Sequence, residues 1–97
     1  MFIISLTYKV PLDKVEEYIP EHNHFLEKYY KSGHFIVSGR KDPRTGGIII
    51  ANASSKNEAE QMITEDPFYV HQIADYMITE FIPSKHNDNF KLFIKDA

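Results

Sequence analysis

The hydrophobic period of this chain switches between two and about 3.6 residues, and that alternation limits its fold more than any single motif does. Phe2 to Lys9 alternates, with Phe2, Ile4, Leu6 and Tyr8 on one face and Ile3, Ser5, Thr7 and Lys9 on the other, until Pro11 ends the strand. From Leu12 the period lengthens: Val15, Tyr18, His22, Phe25 and Tyr29 recur at spacings of three and four, and Ile19 and Leu26 widen the stripe. Glu16, Glu17, Glu21, Lys28 and Lys31 take the wet side. Pro20 lacks an amide hydrogen and biases Ile19 away from helical angles, which predicts a short helix to about Tyr18 and a second from Pro20. Gly33 is placed to let the chain leave that helix through a left-handed residue.

His34 to Arg40 is the second strand, joined through the turn chemistry of Lys41-Asp42-Pro43-Arg44-Thr45-Gly46-Gly47 to a third over Ile48 to Ala53. Ser55 caps the next helix, with Glu58 three residues on reaching back, and the helix stops near Thr64. Asp66-Pro67 starts a further short turn, an aspartate cap followed by proline at the first helical position. Ile73 to Ile82 returns to period two. The order strand, helix, strand, strand, helix, strand is that of an α+β, ferredoxin-like βαββαβ domain: a four-stranded antiparallel sheet with both helices on one face. We read residues 1–97 as one domain, in which 83–97 form a polar linker and tail and Phe90 to Ile94 supply an edge or exchanged strand.

A sheet of this kind ordinarily leaves its helix-free face polar. Here Ile48, Ile49 and Ile50 are apolar on both faces, as are Met77 with Ile78 and Phe81 with Ile82. A second copy of the sheet is the economical cover, so a homodimer packed sheet on sheet is expected. Lys+Arg 11 against Asp+Glu 14 gives a net charge of -3 with neither sign gathered in a block, which offers nucleic acid no basic footprint. The absence of cysteine removes disulfides, thiolate metal sites and thiol nucleophiles together. The first residues lack the basic start and apolar run of a signal peptide, and nothing later approaches ~18 continuous apolar residues. A soluble, cytoplasmic protein with no membrane partner is the resulting expectation.

His22 falls on the face that the helical stripe buries, and a buried ionisable group is costly unless it is paired or used. An imidazole, with an unperturbed pKa of ~6.5, can hold or release a proton near neutrality. The plainer alternative is a core histidine bonded to a backbone carbonyl. His24, two residues on, points about 200° away from it on a helix, and His34, His71 and His86 are scattered, so no metal centre is expected. Ser38, next to Gly39 at the end of the second strand, either offers a hydroxyl to a ligand or is small because chain segments pass closely. Tyr8, Tyr18, Phe25 and Tyr29 either line an apolar pocket for a small ligand, aromatic ones included, or pack as ordinary core. No Gly-x-Ser-x-Gly elbow, phosphate loop or dinucleotide fingerprint is present, and no cofactor is expected.

The run His22-Asn23-His24-Phe25-Leu26-Glu27-Lys28-Tyr29-Tyr30-Lys31-Ser32-Gly33, then Phe35-Ile36-Val37-Ser38-Gly39, Gly46-Gly47 and Glu65-Asp66-Pro67-Phe68, resembles the YciI-like (YCII-related) family from the first strand to about Ile82. The resemblance implies a dimeric α+β barrel with an active site built on a histidine and an aspartate, which match His22 and Asp66. Many relatives carry an arginine three residues before that histidine; this chain has Ile19. In that role Asp66 would orient the imidazole and stabilise its protonated form, besides capping the Pro67 turn, since a carboxylate has two oxygens. The expectation is a small enzyme without metal or redox cofactor, in which the His22–Asp66 pair carries out acid/base chemistry: an isomerisation, elimination or hydrolysis of a small organic substrate held near Ser38, Tyr8, Phe25 and Tyr29. The contrasting reading is a non-catalytic ligand-binding or assembly module on the same barrel. A haem- or quinone-linked monooxygenase is disfavoured by the lack of any cofactor signature.

Overall fold

The computed structural model of the chain describes residues 1–94. Its elements are β1 (Phe2–Tyr8), α1 (Leu12–Glu17), α2 (Ile19–Lys31), β2 (Phe35–Arg40), β3 (Gly46–Ala51), α3 (Lys56–Ile63), α4 (Pro67–Val70) and β4 (Ala74–Glu80). The strands form one four-stranded antiparallel sheet in the order β2-β3-β1-β4, the ferredoxin-like arrangement expected from the sequence. Phe2, Ile4 and Leu6 of β1, Ile49 and Ala51 of β3 and Phe35 of β2 meet Val15, Phe25, Tyr29, Ala59, Met62, Ile63 and Phe68 in one buried core. Burying each large side chain contributes about 1.5–3 kcal/mol.

Local signals place the elements closely. The chain breaks at Tyr18 (φ -104, ψ 1), which ends α1 and opens α2; the missing amide hydrogen of Pro20 falls in the first turn, where no helical partner exists. Gly33 leaves α2 at φ +84. At α3, Ser55 accepts from the Glu58 amide at 3.1 Å, while the Glu58 carboxylate reaches one residue past the cap and accepts from the Ser54 amide at 2.9 Å. Gly46 is required by a close approach: a Cβ there would stand 2.7 Å from the Leu6 carbonyl carbon on the neighbouring strand.

Two features differ from the sequence reading or were not visible to it. Phe90 to Ile94, expected as a strand, contains instead most of a 3-10 turn over Asp88–Phe93, started by the Asn87 side chain accepting from the Asn89 amide at 2.9 Å. That local bond competes with extended pairing; the remainder of the tail, 95–97, lies outside the described residues. The second feature is a β-bulge in β2: Phe35 pairs with Ala51 but Val37 pairs with Ile50, so two steps on β2 match one on β3. The extra residue reverses the strand's phase. Phe35 faces the helices, Val37 and Gly39 face away, and Ser38 and Arg40 return to the helix side.

The helix-free face carries Ile3, Val37, Ile48, Ile50 and Met77, of which Val37 is 53% and Met77 69% exposed.

Candidate active site

The Tyr18 break sets His22 in the first turn of α2, its amide bonded to the Tyr18 carbonyl at 2.9 Å. Its ring lies flat on Phe68, centroids 4.1 Å apart and planes 5° from parallel, with Phe25 tilted beside it at 6.0 Å. Phe68 is brought there by the Asp66-Pro67 start of α4. Asp66 Oδ1 accepts from the Phe68 amide at 3.0 Å, and the same oxygen accepts from His22 Nδ1 at 2.8 Å. One carboxylate thus caps a helix and holds the imidazole. Its side chain is wholly buried, and that of His22 is only 13% exposed.

The other carboxylate oxygen, Oδ2, accepts from the Tyr76 hydroxyl. Burial first, and the facing Asp66 charge second, push the Tyr76 phenol well above the ordinary tyrosine range, so it stays a donor. Among the described residues no buried side-chain nitrogen or oxygen lacks a partner. Because a carboxylate oxygen accepts, Nδ1 carries the ring proton, and the neutral imidazole keeps its lone pair on Nε2. Nε2 makes no hydrogen bond among the described residues.

His22 borders a cavity of about 310 Å³ between α2 and the β2–β3 end of the sheet. Leu6, Tyr8, Ile19, Leu26, Ile49 and Phe68 supply its apolar wall; Asn23, Ser38, Arg40 and Arg44 supply its polar groups. Ile19, the position at which relatives were expected to carry arginine, is part of the apolar wall. Gly47, on the helix side of β3, leaves room where a side chain would intrude.

Of the residues nominated from sequence, His22 and Asp66 touch, and His22, Tyr8 and Ser38 line the same cavity, Ser38 with its hydroxyl 2.6 Å from that of Tyr30. Tyr8 also meets Phe68 edge to face at 6.0 Å. Phe25 and Tyr29 do not belong to that lining; of the two readings of the aromatic stripe, they show the packed one. Phe25 is buried behind the His22 ring, and Tyr29, one turn further along α2, sends its hydroxyl to Glu65 Oε2 at 2.6 Å. Lys28 donates to the other Glu65 oxygen. Lys28 first and Tyr29 next hold the Glu65 carboxyl below its usual range, while burial, then Glu65, raises the Tyr29 phenol. This network ties α2 to the α3–α4 corner. Tyr18 stacks on His71 at 4.5 Å, away from the cavity. Among the described residues no group of three or more His, Cys, Asp or Glu could hold a metal ion.

Sequence reasoning missed Tyr76, Phe68, Arg40 and Arg44. Tyr76 shares a face with Ala74 and Ile78 by simple alternation, a signal that was available. Arg40 was hidden by the bulge, and Arg44 sits in a loop with no period to read.

Fold and site together define an α+β, ferredoxin-like domain with a buried histidine–carboxylate pair opening on a small cavity. The chain belongs to the YCII-related domain family, whose model matches residues 1–82. Among solved structures it is similar to 5-chloro-2-hydroxyhydroquinone dehydrochlorinase (TftG) from Burkholderia phenoliruptrix, solved in complex with 2,5-dihydroxybenzoquinone: TM-score 0.69 and 20% identity, covering 92% of this chain and 98% of that one. At that identity the likeness is one of fold. No curated protein matches the sequence. No helix among the described residues is long and apolar enough to cross a membrane.

Proposed function

We propose that the chain is a small-molecule enzyme in which His22 Nε2 moves a proton to or from a substrate in the adjoining cavity. The observation that carries this reading is the His22 Nδ1 to Asp66 Oδ1 bond at 2.8 Å, which presents the opposite ring nitrogen without a partner beside a cavity of about 310 Å³. In an elimination, Nε2 takes a proton from the substrate, the electron pair left behind expels the leaving group, and Asp66 stabilises the imidazolium that forms. In an isomerisation the same proton returns at another position. The dehydrochlorinase activity of the structural neighbour supports the elimination, and its quinone ligand supports a ring-shaped substrate. Asp66 and Tyr76 are positioning residues in this scheme.

The test is a panel of hydroxylated and halogenated quinols and quinones, followed for halide release and for solvent-deuterium exchange. A transformed compound should lose at least about a hundredfold in rate in His22→Gln, the scale of general acid/base contributions. A compound turned over equally well by both proteins, or bound but transformed by neither, would rule the scheme out and leave a binding module.

The reading extends to a homodimer. The apolar patch of Ile3, Val37, Ile48, Ile50 and Met77 supports a second copy packed across the helix-free face. Sedimentation at micromolar concentration showing only an 11.3 kDa species would remove that part.

A further inference from the structure

We infer that the ligand of the His22 cavity is a small organic carboxylate or comparably ionised oxygen acid, its apolar body against Phe68 and Leu26 and its anionic oxygens on Arg40 and Arg44. This rests on reading the cavity as a substrate site. The chain has only two arginines, and both line this one cavity. Asp and Glu outnumber Lys and Arg by 14 to 11 in the sequence, yet no carboxylate lines the cavity; Asp66 lies wholly buried behind the His22 ring. The formally charged side chains of the lining are therefore both cationic, opposite in sign to the net charge of the chain, which suits an anionic ligand.

The two guanidinium groups differ in how they are held. Arg44, in the β2–β3 loop, donates from Nη1 to Glu16 Oε1 at 3.3 Å, an anchor that uses part of a five-donor fork and leaves the rest available. Arg40, turned to the helix side of β2 by the bulge, makes no ion pair among the described residues. Arginine suits this task because its planar fork matches a carboxylate pair of oxygens, which a lysine ammonium meets only as a point charge. The cavity's volume of about 310 Å³ stands at the small end of ligand pockets, room for a single ring with its substituents. Proton removal by Nε2 also places new negative charge on the substrate. Fixed cations at the mouth favour that more negative state over the ground state.

The experiment titrates benzoate and its neutral isostere benzamide into the full chain, reading the amide resonances of Ser38, Gly39 and Gly47. Benzoate is expected to bind at least about tenfold more tightly than benzamide, in line with charge-assisted pairing, and Arg40→Gln/Arg44→Gln is expected to erase the difference. Arg40→Lys/Arg44→Lys keeps part of it. Where the double variant does not fold, Arg40→Gln alone serves, since it breaks no ion pair among the described residues. Equal affinities in the unaltered protein, or no response to benzoate up to its solubility, would overturn the inference. So would inorganic phosphate binding as tightly as benzoate, because the apolar wall would then contribute nothing. His22→Gln separates the two readings: benzoate preference that survives in it, beside unimpaired turnover, would sink the acid/base scheme and leave the anion site standing.

Discussion

Replacing Asp66 tests the hydrogen-bonded centre of the molecule, because three donors from three elements converge on its one buried carboxylate: His22 Nδ1 at 2.8 Å, the Phe68 amide at 3.0 Å and the Tyr76 hydroxyl. Asp66→Ala orphans all of them. Loss of a helix cap costs ~1 kcal/mol, and each further buried donor left without an acceptor costs ~1–3 kcal/mol. The expected destabilisation is about 3–7 kcal/mol, against a total of roughly 5–15 kcal/mol for a small domain. Asp66→Asn is milder and more informative. The Phe68 amide demands an oxygen at the Oδ1 position, which fixes the orientation of the new amide and keeps the His22 bond. Its nitrogen then faces the Tyr76 hydroxyl, which must turn from donor to acceptor. Exchanging charge-assisted bonds for neutral ones costs about 1–3 kcal/mol in total. Urea unfolding at neutral pH should rank the proteins as native, then Asn, then Ala, with the two variants about 3 kcal/mol apart at the middle of their ranges. Turnover in the folded Asn variant should fall at least about a hundredfold, since the ring is held but its positive charge is not offset. An Ala variant within ~0.5 kcal/mol of the native protein would refute the account of what the carboxylate does for the fold. Full activity in the Asn variant would refute the account of its charge.

Tyr76→Phe should cost about 1–3 kcal/mol by leaving Asp66 Oδ2 without its donor. Because burial and Asp66 raise the Tyr76 phenol, its contribution is intact below the unfolded tyrosine value of ~10 and is lost as pH rises beyond it, so thermal melts of the Phe variant should decline less steeply in alkali. Glu65 gives the opposite limb. Its carboxyl is held low by Lys28 and Tyr29, so its contribution is present above the unfolded value of ~4.3 and fades as pH falls; Glu65→Gln should flatten the acid side of the stability curve, and an unchanged slope would count against the network. Gly46→Ala sets a methyl group against the Leu6 carbonyl and should destabilise by about 3 kcal/mol or more, read by the same urea series; a neutral effect would show that the β1–β3 approach is not as close as described.

What the sequence discloses follows from how local each cause is. The Tyr18 break, the Gly33 exit, the Ser55 cap and the Asp66-Pro67 start are each written within a few residues, and each stands within about one residue of its expected place. The His22–Asp66 contact spans 44 positions and was reachable only through family resemblance. Phe25 and Tyr29 illustrate the ambiguity of an aromatic stripe: spacing puts them on the buried face but cannot separate a cavity wall from the packing behind it. Phe90 to Ile94 has strand composition, yet the Asn87 side chain upstream settles its backbone as a 3-10 turn. The cavity's arginines were invisible for a related reason. Strict alternation along β2 puts Arg40 on the face opposite Phe35, and one inserted residue undoes that.

That single insertion gives the strand a mechanical property. Removing Ile36 would restore unbroken pairing with β3 and leave every later side chain of the strand on its present surface, because Phe35, Val37, Ser38, Gly39 and Arg40 already oppose consecutive residues from Ala51 to Gly47. The sheet order and the pairing of β1 with β3 and β4 would survive untouched. A one-codon deletion would thus straighten the edge strand while Ser38 and Arg40 kept their side of the sheet, so the kink and the charged mouth are separable properties of this architecture.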